Sequence, residues 1–117
     1  MDLGFKILDP ALIADRWQFK NNFFTLASGA LPLADANPRR ILIAFHNPST
    51  SVQCFIGTTQ DVATSFGWQL GGSSVPVDYA FSYEEFGGLV GLPWFGHTSG
   101  FNQQILVQEV IYQPLGG

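Results

Sequence analysis

Between residues 23 and 112 the sequence breaks into short runs in which apolar and polar residues alternate. Glycine, proline or asparagine closes most of these runs. A period of two puts successive side chains on opposite faces of a strand, whereas a helix needs a period near 3.6. The runs fall at 23–28, 39–47, 51–57, 67–71, 77–85, 92–98 and 103–112. No stretch after residue 20 keeps a helical period. Short β-branched and aromatic strands with turn signals between them predict an all-β protein. The expected architecture is an antiparallel β-sandwich or a jelly-roll-like barrel of about eight short strands.

The chain has 117 residues, which suits one domain with one core. Residues 1–22 read as an N-terminal arm or edge segment, and 23–117 as the sandwich domain. In the arm, Leu3, Phe5 and Ile7 alternate, and Pro10 stands where a single helical turn could start before Leu12, Ile13, Arg16 and Trp17. The acid at position 2 and the Asp9-Pro10 break are unlike a secretory signal. No window reaches the ~18 apolar residues of a membrane span, so no membrane partner is expected.

Charge narrows the function. Only 12% of residues are charged, against about 25% in an ordinary soluble domain. Aromatics make up 15%, and the mean hydropathy is slightly positive. Uncharged polar residues and burial against other chains must together cover what charge does not. All five basic residues, Lys6, Arg16, Lys20, Arg39 and Arg40, lie within the first 40 positions. A body without Lys or Arg is a poor nucleic-acid binder, because phosphate neutralisation supplies most of that affinity.

The segment 39–57 reads as a hairpin, with "NPSTS" as its turn; Asn47 bonds local backbone and Pro48 presets the turn. Cys54 alternates in phase with Val52 and Ile56, which predicts a buried, inert thiol. His46 and His97 read as solvated imidazoles at turns. Glu84 and Glu85 are adjacent, and on a strand they would face opposite ways, unlike an acid/base pair. No nucleophile elbow, phosphate loop, zinc spacing or calcium loop is present. No catalytic, cofactor-binding or metal-ligating residue is therefore assigned, and the protein is expected not to be an enzyme.

The aromatics carry the binding potential. Tyr79, Phe81 and Tyr83 alternate on one strand, with Trp68 and Trp94 in neighbouring strands, and core packing is the favoured role for that row. The apolar, glycine-rich run 84–96 does not fit one strand, and an exposed apolar loop marks an interface. Candidate partner-interface residues are Phe5, Ile7, Arg16, Trp17, Phe19, Arg39, Arg40, Phe86, Leu89 and Trp94.

The order of signals in 37–112 resembles small virion proteins of tailed bacteriophages. The matching features run from Arg40, Ile43 and "NPS" (47–49) to Val52 and Gly57, then "GWQL" (67–70), "WFGHTSG" (94–100) and a closing "VQEV" (107–110). The resemblance implies a β-sandwich or jelly-roll-like fold and a structural role, as capsid decoration or cement, or as a small tail or fibre part. It would place the protein in the virion, assembled in the host cytoplasm, bound to capsid protein or other virion subunits. Low charge and many aromatics suit large obligate interfaces, so a homo-oligomer is expected, a trimer above other states. A carbohydrate-binding module that stacks sugars on exposed aromatics is the alternative.

Overall fold

The computed structural model describes residues 17–63, 67–72, 75–98 and 101–113. The elements are β1 (Trp17–Leu26), β2 (Leu31–Ala34), β3 (Arg40–His46), β4 (Cys54–Gly57), β5 (Trp68–Leu70), β6 (Asp78–Ser82), a helical turn α1 (Tyr83–Phe86), a 3-10 turn (Gly87–Gly91), β7 (Trp94–Thr98) and β8 (Gln103–Tyr112). They form two four-stranded antiparallel sheets, ordered β1-β8-β3-β6 and β2-β7-β4-β5.

The pairings β1·β8, β2·β7, β3·β6 and β4·β5 describe one long antiparallel ribbon. The added pairings β3·β8 and β4·β7 roll that ribbon up into two sheets. This is the jelly-roll arrangement of an all-β sandwich, as the alternation predicts.

The core lies between the sheets. Leu26, Ile43, Phe45, Ile56, Leu70, Phe81, Val90, Trp94, Ile105 and Val107 are buried there. Trp94 is the largest fully buried side chain, with ring centroids 5.2 Å from Phe45 and 4.9 Å from Phe81. Gly96, the next inward position of β7, leaves room for the opposing leucines: a Cβ there would lie 2.7 Å from Leu26 Cδ2. Phe81 is core, and Tyr79 packs against it, while Tyr83 has left the strand and is exposed.

Four local expectations are corrected. First, β1 begins at Trp17 and runs unbroken to Leu26, paired with β8 throughout. A boundary between residues 22 and 23 would cut this strand in half. The polar pair Asn21-Asn22 hides the continuity, because both residues disfavour strands. Residues 1–16 of the expected arm lie outside the described residues.

Second, β3 and β4 do not form a hairpin. β3 pairs with β6 and β8, and β4 with β5 and β7, so residues 47–53 cross from one sheet to the other. Asn47 holds that corner and is fully buried. Its Nδ2 donates to the carbonyls of Val52 and Leu70, each at 2.9 Å, and its Oδ1 accepts from Ser49 N. Gly71 has φ +79°, and a Cβ there would collide with the Asn47 amide.

Third, Ser82 ends β6 and caps α1. Its hydroxyl accepts from Glu85 N at 3.3 Å and donates to the Glu85 carboxylate. This is a serine N-cap, so Glu84 and Glu85 sit on a helical turn and not on a strand. The run 84–96 is thus an ordered plug: Val90 enters the core and Leu89 packs against it. Fourth, His97 lies inside β7, not at a turn, and its Nδ1 accepts from Gly29 N at 3.1 Å.

Candidate functional site

The outward side of the β1-β8-β3-β6 sheet is the surface that departs most from an ordinary exterior. Cross-strand register builds it row by row. Phe23 stands beside Leu106, then His46, then Asp78. Asn21, Gln108, Ala44 and Ala80 make the second row, and Phe19, Val110, Leu42 and Ser82 the third. Trp17 and Tyr112 close that end, ring edge to face at 5.4 Å.

Phe19 is 58% exposed and Phe23 66%. Leu106, Val110, Leu42 and Ala44 are half-exposed between them. No Lys, Arg or Glu stands in these rows. The central polar pair is joined, Gln108 Nε2 donating to Asn21 Oδ1 at 2.9 Å. His46 Nδ1 and Asp78 Oδ1 pair at one margin. Exposed apolar side chains gathered on one sheet face mark a protein-binding surface.

The inward side of the same sheet carries the opposite anomaly. Arg40 is 2% exposed, although β3 alternation places it on the outer face with Leu42 and Ala44. A β-bulge between Arg40 and Leu42 shifts the register and turns Arg40 inward. There its Nε donates to Glu109 Oε1 at 2.8 Å. Its Nη1 donates to the carbonyls of Val90 and Leu92, both at 3.0 Å, and its Nη2 to Asp35 O at 2.5 Å. One guanidinium therefore ties β8, the 3-10 plug and the β2–β3 loop together. A recess of about 280 Å³ opens beside it, with Lys20 and Asn22 of β1 as its other wall. The recess exists because β2, four residues long, covers only part of β1, which is ten long.

The expected interface residues thus separate. Trp17 and Phe19 lie on the apolar outer face, Arg39 is exposed, and Phe86 is 43% exposed at the rim of the core. Arg40 and Trp94 are buried within their own chain and are corrected to structural roles: the bulge internalises the first, and inward alternation in β7 places the second in the core. Leu89 is half-buried against that core. Phe5, Ile7 and Arg16 lie outside the described residues. Phe23, Leu42, Leu106 and Val110 join the face without having been expected there. The signal for Phe23 was its in-phase alternation with Trp17 and Phe19, which an arm boundary at 22 concealed.

Cys54 is buried, and desolvation pushes its thiol from 9.0 up to about 11, so it is a poor nucleophile at neutral pH. No group of three or more His, Cys, Asp or Glu residues that could hold a metal ion occurs among the described residues. No described helix is long and apolar enough to cross a membrane. A second recess, about 360 Å³, is lined by Thr58, Thr59, Val62 and Trp68, the indole being 36% exposed. No protein-family model matches the chain, and no curated protein is significantly similar to it.

Proposed function

We propose that this chain is a non-enzymatic structural protein of a virion, acting as capsid decoration or cement that binds and stabilises neighbouring shell subunits. The observation that supports this reading is the uncovered apolar face built by Trp17, Phe19, Phe23, Leu42, Leu106 and Val110. A rolled-up antiparallel sandwich is a stiff platform, and a flat apolar face on it suits a permanent contact better than a transient one. The interior pins, Arg40–Glu109 and Asn47, hold that platform to one shape.

The test is made on purified particles of the phage that encodes the chain. Mass spectrometry should find it in them at a stoichiometric copy number. A chain carrying Leu106→Lys and Val110→Lys should keep its far-ultraviolet spectrum and be lost from the particles. Absence of the native chain from particles would sink the virion role.

Trp68 supports a second reading, a carbohydrate-binding module. The indole borders the threonine-lined recess, which gives a stacking surface beside two hydroxyl groups. A glycan panel read by tryptophan fluorescence tests it, with Trp68→Ala abolishing any response.

A further inference from the structure

The two sheets present four edges, and three of them are protected. β5 is only three residues long. β2 is four residues long and carries Pro32 next to a register shift. β6 has five residues and passes directly into α1. Short strands, proline, bulges and covering turns are the usual defences against edge-to-edge pairing.

β1 has none of these defences. It is ten residues long, contains no proline or glycine, shows no register shift against β8 and carries one charge, Lys20. Among the described residues nothing pairs with its outer edge. A long, unbroken edge strand is a template for another strand.

We infer that β1 pairs antiparallel with β1 of a second copy, about a two-fold axis at Asn21, joining the two β1-β8-β3-β6 sheets into one. The sequence of β1 is self-complementary in that register. Phe19 stands opposite the partner's Phe23, and Phe23 opposite the partner's Phe19, so both exposed rings gain an aromatic cross-strand neighbour. Lys20 falls opposite the partner's Asn22. A shift of two residues in one direction would set Lys20 against the partner's Lys20, a repulsive pair. The same shift in the other direction leaves Phe19 facing the partner's Thr25 and Phe23 facing the partner's Asn21. A shift of one residue is forbidden, because it would oppose outward side chains to inward ones. The contact is isologous, two-fold where a trimer was the expectation, and it brings the outward faces of both copies side by side.

The pairing goes beyond the virion role and does not depend on it. The test uses the full chain. Light scattering behind a sizing column should give twice the mass of one chain. Asn21→Cys should then cross-link under a copper–phenanthroline oxidant, because directly opposed residues have Cα atoms about 4.5–5.5 Å apart, within disulfide range. The native Cys54 is buried and does not compete. Thr25→Cys, whose opposite number is the partner's Trp17, should stay uncross-linked. A monomeric mass would overturn the pairing. A dimer in which Asn21→Cys fails to cross-link, or in which Thr25→Cys cross-links equally, would overturn the register. A dimer that forms normally but is missing from particles would refute the virion role and leave the pairing standing.

Discussion

The two sides of the β1-β8-β3-β6 sheet invert the usual placement of residues. The inward side buries Arg40, Glu109 and, at the end of β3, Asn47. The outward side leaves Phe19 and Phe23 in solvent beside half-exposed Leu106 and Val110. The difference lies in partners. Each inward polar group has its hydrogen bonds within the chain, four from Arg40 alone. Among the described residues, nothing covers the outward apolar groups. Satisfied burial indicates architecture, and unsatisfied exposure indicates a contact still to be made.

That contrast can be broken most forcefully from the inside. Glu109→Ala leaves the Arg40 guanidinium buried without its carboxylate, and should cost about 3–5 kcal/mol in urea unfolding followed by tryptophan fluorescence. Replacing both partners, Arg40→Met with Glu109→Leu, should recover only part of that loss. The carbonyls of Val90, Leu92 and Asp35 would still lack the donor that Arg40 supplies. Full recovery would show that the pair acts as a simple ion pair and not as a clamp on the plug.

Asn47→Ala removes the donor to two carbonyls at the sheet-to-sheet corner and should cost about 1–3 kcal/mol by the same measurement. Those two sites also mark where the sequence was hardest to read. Strand existence and the all-β class were visible in the alternation, because a buried face imposes a period of two on its own strand. The bulge at β3 left no such trace: Ile41 is simply one more apolar residue in the run, yet it reverses the side on which Arg40 lies. "NPSTS" carries the chemistry of a tight turn, and the local bonds of Asn47 to Ser49 and Val52 are turn-like. Its bond to Leu70, far along the chain, is what makes the segment a corner between sheets. The serine N-cap at Ser82 was spelled out, but the preceding strand alternation ran through it and masked it. The apolar face was half legible, since Trp17 and Phe19 share the phase of Phe23 while the cross-strand neighbours on β8 and β3 come only from register.

A gentler probe of the interior is pH. The folded Cys54 thiol titrates near 11, above its ordinary 9.0, so the folded state holds its proton more tightly than the unfolded chain. Its contribution to stability is complete below about pH 9 and is lost as pH rises through about 11. The native protein should therefore lose more stability across that window than Cys54→Ala does. Equal slopes for the two would mean that the thiol is not desolvated.

The smallest effect on stability is expected outside. Phe23→Thr keeps a strand-forming residue and should shift unfolding by no more than about 0.5 kcal/mol. It should nevertheless weaken self-association measured by light scattering. A large loss of stability in the monomer would place Phe23 with the architecture and erase the distinction between the two sides.

The rolled ribbon also dictates when the molecule can take shape. β8, the last of the described strands, lies between β1 and β3, and β7 lies between β2 and β4. A ribosome that has released only the first six strands has therefore produced two sheets without their middles. β1 and β2 then have no neighbour to pair with, and the apolar sides of β3 and β4 remain open. Neither sheet can close before β7 and β8 have been made. Strand pairings so distant in sequence close slowly, on the millisecond-to-second scale typical of all-β domains. During that interval the nascent chain is at its most prone to stick to its neighbours. Cool, slow expression should raise the soluble yield more than any change made to the finished surface.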